Sequence, residues 1–360
     1  MTRLAVTFEP VEFSDLPGWE TDDHAAALQA FLKSKKLIVK SAPELARELE
    51  NVESAERRAE EARQFFESLF TPHRVVHGKS HGLLTGYYEP VLQGSRTRQG
   101  PYQVPVYRRP PDLVNLVDDS MRGAVGEALT HARVTENGEL APYPTRAEIE
   151  AGALEGRGLE LLYLADSVDA YFMHVQGSGL VELEDGSSVR LSYDGKNGHP
   201  YTSIGRCLVE AGVFTAEEVT LDTLSSWLRA DPDRARQVMW QNASYIFFRE
   251  LTDSEPKSAL GVDGVPLTAG RSLAVDAGIH ALGLPIYVVA PDLVHTPEGG
   301  PFHRLMIAQD VGSAIKGPER GDIFFGTGAE AGRRAGMTRH AGNFFVFLPR
   351  KCSRASVQVP

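Results

Sequence analysis

Leu273-Ala274-Val275-Asp276, Ile307-Ala308-Gln309-Asp310-Val311-Gly312 and Gly321-Asp322-Ile323-Phe324 share one pattern near the end of the chain. Each is a short apolar run that carries one aspartate. Around them lie further β-prone runs, Ile286-Tyr287-Val288-Val289, Phe302 to Ala308 and Asn343 to Leu348, divided by glycine and proline. Many short strands with little helix between them predict a small closed barrel. A carboxylate on such a strand costs several kcal/mol, roughly, unless it is paired, hydrogen-bonded or protonated. Three between Asp276 and Asp322 therefore invite a chemical role. The competing reading is that they cap turns, as aspartate beside glycine often does.

Outward from this segment the texture changes. Residues 20–70 read as helical, with apolar residues at helical spacing in His24 to Leu32 and a stripe of Leu45, Leu49, Ala55, Ala59, Ala62, Phe65, Phe66 and Leu69. His81 to Pro90 is β-prone. Val104, Val106 and Tyr107 stand between prolines, which suggests an edge strand. Ala170 to Val175, Leu180 to Leu183 and Ser188 to Tyr193 read as strands. Glu184-Asp185-Gly186-Ser187 signals a hairpin between the last two. Residues 202–240 return to helix, and Ser244 to Phe248 is a strong strand.

Composition narrows the function. With 37 Lys and Arg against 48 Asp and Glu, the net charge of −11 disfavours nucleic acid and anionic lipid as partners. Two cysteines, Cys207 and Cys352, exclude a disulfide scaffold and a four-thiolate zinc site. The histidines lack zinc-ligand spacing. Val311 to Gly317 lacks the order of a P-loop, and Gln176-Gly177-Ser178-Gly179 is only partly a nucleophile elbow. No cofactor and no metal are expected. Met1 to Trp19 shows no signal segment and no lipid-attachment cysteine, which reads as a cytoplasmic protein or a trimmed mature form.

The aspartate segment, from Val265 through Asp276, Asp310 to Gly317 and Gly321-Asp322-Ile323, resembles the "3D" domain, named for its three aspartates. Leu84-Thr85-Gly86-Tyr87-Tyr88-Glu89-Pro90, Val175 to Gly179, Asn197 to Arg206 and Leu16-Pro17-Gly18-Trp19 resemble the membrane-bound lytic murein transglycosylase A family. The resemblance runs in order along nearly the whole chain. It implies a mainly β protein: a double-ψ β-barrel with N-terminal helices, made from residues 1–105 and 244–360, and an inserted β-rich domain at 106–243. It also implies a groove holding a peptidoglycan glycan strand, a cell-envelope location, and membrane association only through an anchor that this sequence does not show. A monomer is favoured.

The family cleaves the MurNAc–GlcNAc β-1,4 bond without water and leaves a 1,6-anhydro ring. The C6 hydroxyl of the substrate is then the nucleophile, so one carboxylic acid suffices as acid and then base. The resemblance assigns that role to Asp322, the aspartate of the Asp-Ile-aromatic motif; Gly321 stands where the family more often has an aromatic or aliphatic residue. Asp310, the neighbouring carboxylate, is the second catalytic candidate unless it is a structural partner that fixes the loop, and Asp276 and Glu89 are supporting residues. Glu89 falls where the same barrel in inverting endoglucanases carries its base-side carboxylate, unless it merely faces solvent before Pro90. Thr85, Tyr87, Tyr88, Gln176, Gly177, Ser178 and Tyr201 are candidate glycan contacts, Gly177 and Gly179 letting the backbone approach the ligand. Two other functions compete: an inverting β-1,4-glycan hydrolase using Asp322 and Glu89, and a non-catalytic peptidoglycan-binding protein.

Overall fold

A computed structural model describes residues 6–50, 59–116, 125–126, 129–296 and 299–350. Ala55 and Cys352 lie outside the described residues. The chain divides into two compact units: Met1–Tyr88 with Leu260–Gly326 and Glu330–Pro360, and Glu89–Ala259 with Thr327–Ala329.

The strands follow in chain order. The first unit opens with β1 (Thr7–Pro10), β2 (Phe70–Val76) and β3 (Gly82–Glu89). The second holds β4 (Val91–Ser95), β5 (Val104–Tyr107), β6 (Leu113–Asn115), β7 (His131–Val134), β8 (Leu140–Ala141), β9 (Glu160–Leu164), β10 (Ser178–Leu183), β11 (Ser188–Lys196) and β12 (Ile246–Glu250). The chain then returns through β13 (Ser272–Ala274), β14 (Pro285–Ala290), β15 (Phe302–Asp310), β16 (Arg320–Thr327) and β17 (Arg339–Pro349).

In the first unit the strand order β17-β14-β15-β13-β16-β3 closes on itself through a β17–β3 pairing, and β1 and β2 extend it from β17. β13 and β15 run parallel while their neighbours are antiparallel. This is a closed barrel, consistent with the double-ψ type. Its strands are apolar on both faces, and the alternation explains why. Ile286, Val288, Met306, Ala308, Phe344 and Val346 point into one core with Leu84, Leu273 and Ile323. The residues between them, Tyr287, Leu305, Ile307, Phe345 and Phe347, point into a second core. That second core is roofed by the helices His24–Leu32, Lys35–Ser41, Pro43–Glu50 and Ala59–Leu69, through Phe31, Ile38, Leu45, Phe65 and Phe66. The Leu16–Trp19 motif belongs here too: Trp19 is buried and donates to Glu67, and the Tyr287 hydroxyl donates to the Pro17 carbonyl at 2.7 Å.

The second unit is built on a six-stranded sheet, β12-β11-β10-β4-β9-β5, with the small sheet β6-β7-β8 beside it. The β10–β11 hairpin turns at Glu184 to Ser187 as its sequence signals. This division differs from the boundaries at 106 and 243. β4 hydrogen-bonds β10, β5 hydrogen-bonds β9, and β12 hydrogen-bonds β11, so all three flanking strands belong to the inserted unit.

One reading of the sequence is corrected. Ala170 to Val175 is not a strand but part of a helix, Ser167–Gln176. The Asp166 carboxylate caps it, accepting from the amides of Val168 and Asp169 at 2.7 and 3.2 Å. Val168, Ala170, Tyr171, Met173 and His174 are the buried positions, a helical rather than alternating pattern. Those two signals outweigh the β-preference of Tyr171, Phe172 and Val175.

Candidate active site

The barrel brings Asp310 and Asp322 to the two sides of one strand. Ala274 of β13 is the register partner of Asp310 on β15 and of Asp322 on β16. Paired residues share a sheet face, so the two carboxyls stand level across β13. The β13–β15 register shifts between Leu273 and Ala274, which re-aims Asp310 at the strand's end. β3 completes the group. Thr85 and Tyr87 lie two apart on one face of that strand. The Thr85 hydroxyl donates to Asp322 Oδ1 at 2.5 Å, and the Tyr87 hydroxyl donates to Asp310 Oδ2 at 2.9 Å.

The two aspartates differ in how their oxygens are used. Asp310 accepts on both: Oδ2 from Tyr87 and Oδ1 from the Val311 amide at 2.9 Å. Among the described residues Asp322 accepts on Oδ1 alone, which leaves Oδ2 able to carry a proton. Burial pushes the Asp310 carboxyl up to about 7; the Val311 and Tyr87 hydrogen bonds oppose this, and the charge of Asp322 adds to it. Burial also raises Asp322, against the Thr85 hydroxyl and the Arg320 guanidinium. Both groups sit among protein atoms, yet both residues keep partial solvent exposure, as a site that must meet a substrate requires.

Gly321 has a steric reason. A Cβ there would lie 2.7 Å from Phe344 Cζ and 3.0 Å from Leu273 Cδ1, so the barrel core leaves no room beside Asp322 for a side chain. Sequence reasoning missed Arg320, whose Nη1 donates to the Gly321 carbonyl at 2.6 Å and whose charge acts on Asp322. Its place two residues before the catalytic candidate was the available signal. Asp276 is a loop anchor: Oδ2 accepts from the Gly317 amide at 2.9 Å and Oδ1 from the Gly278 amide at 3.1 Å, with Lys316 Nζ 3.3 Å from Oδ1. Burial would raise its carboxyl, but these donors outweigh it and hold it below the usual range.

Other candidates are placed differently. Tyr87 is buried with its ring 5.2 Å from that of Phe324, so it supports Asp310 and offers no face to a sugar. Tyr88 is half-buried against Gly332. Glu89 does not face solvent. It is fully buried in the second unit, with Arg190 Nε 2.9 Å from Oε1 and the Thr327 hydroxyl donating to Oε2 at 2.7 Å.

Gly177, at φ 78°, ends the Ser167–Gln176 helix, its amide donating to the Met173 carbonyl at 2.9 Å. Ser178 is buried, and a Cβ at Gly179 would lie 2.8 Å from Met173 Sδ. Gly177 thus terminates the helix, and Gly179 allows the close approach of Met173. Gln176 is half-buried at the helix end, and Tyr201 is exposed. Asn197 holds the Asn197–Arg206 segment: its amide donates to the carbonyls of Pro144 and Ala243, and its oxygen accepts from the Tyr245 amide.

Comparison with known proteins adds to this geometry. Residues 83–249 match the family model of the MltA specific insert domain, and residues 271–348 match that of the 3D domain. The membrane-bound lytic murein transglycosylase A of Escherichia coli is 37% identical over 266 residues, 73% of this chain. That match spans 64% of the relative's own length. A crystal structure of a membrane-bound lytic murein transglycosylase from Agrobacterium tumefaciens is 38% identical, with a TM-score of 0.87 over 96% of this chain and 99% of that one. E. coli MltA with bound chitohexaose is 30% identical, with a TM-score of 0.66 over 97% and 93%.

Proposed function

Since the chain belongs to the membrane-bound lytic murein transglycosylase A family, we propose that it cleaves the β-1,4 bond between MurNAc and GlcNAc in peptidoglycan and leaves a 1,6-anhydro-muramoyl product. The observation that carries this reading is Asp322: a buried carboxyl with a raised proton affinity and one uncommitted oxygen. In the first step Asp322 gives its proton to the bridging oxygen as the bond from that oxygen to C1 breaks. The C6 hydroxyl of the same muramic acid forms the new bond to C1, and Asp322, now a carboxylate, takes the hydroxyl proton. The proton count closes on one residue, and no water enters. An intramolecular nucleophile can match effective concentrations of about 10⁵ M or more, so no protein nucleophile is required. The Thr85 hydroxyl and the Arg320 guanidinium are placed to steady the carboxylate between the two transfers. Asp310, holding its proton to about pH 7, keeps a second negative charge away from Asp322.

The inverting hydrolase has less support. A base must present an open oxygen to water, at about 6.5–9.5 Å from the acid. Glu89 is wholly buried beside Arg190 and Thr327. That E. coli MltA was crystallised with chitohexaose, a β-1,4-linked aminosugar chain, favours a glycan of the same linkage as substrate here. The naming of the relatives as membrane-bound favours a cell-envelope location. Among the described residues no helix is long and apolar enough to cross a membrane. Mass spectrometry of products from isolated cell walls tests the proposal. Anhydro products, one water lighter than hydrolysed ones, support it; reducing-end products from the wild-type protein overturn it.

A further inference from the structure

The second unit contains a cavity of about 300 Å³, at the lower end of the range for small-ligand sites. Its wall includes Tyr107, Tyr245, His174, Glu160 and Arg236. Tyr107 and Tyr245 are each 3% exposed, yet neither hydroxyl has a hydrogen-bond partner among the described residues. Neither hydroxyl is sealed in the core, so each is a donor open to a ligand in the cavity. His174 is buried, and its Nδ1 lies 3.2 Å from Arg146 Nη2, which can only donate. Nδ1 is therefore the acceptor, and Nε2 carries the hydrogen. Burial and the charge of Arg146 keep this ring neutral, so it adds a donor without a charge.

The charges on the wall sort into engaged and available ones. Arg146, itself buried, is paired with Glu150. Glu160 has no cation partner among the described residues. It stands opposite Tyr107 in the β5–β9 register, so the free carboxylate and the unpartnered phenol are neighbours. Burial, with Glu160, Glu155 and Tyr163 adding to it, pushes the Tyr107 phenol up to about 12, so it remains a donor. Among the described residues the ion pair of Arg236 is with Asp233 at 3.4 Å and that of Arg98 is with Glu155 at 3.3 Å; both are largely in solvent and worth little. One free anion, two weakly paired arginines and neutral donors on one wall suit a ligand that carries both charges on a short apolar stem. Val104, Pro105 and Ile149 supply apolar wall for that stem.

We infer that this cavity binds the zwitterionic amino-acid end of a peptidoglycan stem peptide, its ammonium on Glu160 and its carboxylate toward Arg236 and the tyrosine hydroxyls. The inference rests on the peptidoglycan reading, and deepens it by assigning the peptide a site apart from the aspartate pair. Calorimetry with free peptides tests it without the glycan reaction. The probe is a tripeptide, Ala-γ-Glu-diaminopimelate, whose last residue ends in an ammonium and a carboxylate on one carbon. Two controls are the same peptide with lysine in that place, which lacks that carboxylate, and the peptide with its distal amine acetylated. The diaminopimelate peptide should bind, and each control should bind about tenfold more weakly. Glu160→Gln should weaken the parent peptide about tenfold and leave the acetylated one unchanged. Tyr107→Phe should weaken the parent severalfold. Absence of binding, or equal binding of all three peptides, overturns the site, as does a Glu160→Gln variant that is folded by circular dichroism yet binds like the wild type. If peptide binding fails while anhydro products still form, only this site falls. If binding holds while products are hydrolysed, only the transglycosylase reading falls.

Discussion

Asp322 and Glu89 are buried carboxyls that the same stretch of sequence reasoning put forward, and their surroundings make them opposites. Glu89 sits beside Arg190, with Thr327 donating to its other oxygen. Asp322 has Thr85 on one oxygen and, among the described residues, no direct ion pair, with Asp310 as its nearby carboxyl. Burial by itself raises any carboxyl. A cation in contact converts it into a structural ion pair, whereas hydroxyl and carboxyl neighbours leave it able to hold a proton and give it away. The contrast extends to whole motifs. In the barrel Asp310 and Asp322 keep raised proton affinities, while Asp276 anchors a loop. In the inserted unit Glu89, Gly177, Ser178, Gly179 and Asn197 are engaged in their own fold.

The sharpest way to break this contrast is Asp322→Asn. Asparagine matches the shape and can still accept from Thr85, but it cannot act as an acid. Release of anhydro-muropeptides should fall roughly 100-fold or more with the melting temperature little changed. A folded variant that keeps more than about a tenth of the activity would remove Asp322 from the acid role.

Glu89→Gln should show the reverse pattern. Removing one partner of a buried pair leaves Arg190 without a counter-charge and costs about 3 kcal/mol of stability. Products should stay anhydro, with activity substantially retained below the melting range. Replacing both residues, Glu89→Gln with Arg190→Met, should recover much of the lost stability, because no buried charge remains. Denaturant titration of the three variants reads this directly. A dead but stable Glu89→Gln enzyme would restore the hydrolase.

The aspartate pair also predicts a pH signature. The folded Asp310 holds its proton to about pH 7, while the unfolded one releases it near the ordinary 3.8. Between those values the folded state binds more protons than the unfolded state. Stability therefore falls as pH rises across that window and is level above it. Asp310→Asn removes the penalty. Its melting temperature should match the wild type near pH 4, rise relative to it up to about pH 7, and keep that lead at higher pH. A lead that shrinks with rising pH would mean that Asp310 is not a proton-holding group.

The barrel was legible because alternation along β14, β15 and β17 is a local property and each strand carries it in full. Asp322 was legible through its motif. Arg190 was not, because Glu89 meets it only after β10 and β11 have folded beside β4, and no local pattern reports a pairing at that separation. The Ser167–Gln176 helix was missed because its β-prone residues dominate a short window, while the deciding groups, Asp166 and Gly177, lie at its ends. Gly177 fits two roles, helix terminator and glycan contact, and its φ of 78° at the helix end supports the first.

Gly177→Ala isolates that last distinction and carries the smallest effect. At φ 78° an alanine is held in the left-handed region, which costs about 1 kcal/mol relative to glycine. No atom lies within 4 Å of the added Cβ, so backbone conformation is the whole of the penalty. If Gly177 only ends the helix, the variant should melt a few degrees lower and keep its KM for glycan chains. Asparagine, which tolerates the left-handed region better, should recover part of the loss at the same position. If the backbone at Gly177 instead touches a sugar, the new methyl group intrudes on the ligand: KM rises for both variants, and asparagine, being larger, does worse than alanine. The order of the two variants in stability and in KM therefore separates a helix terminator from a glycan contact.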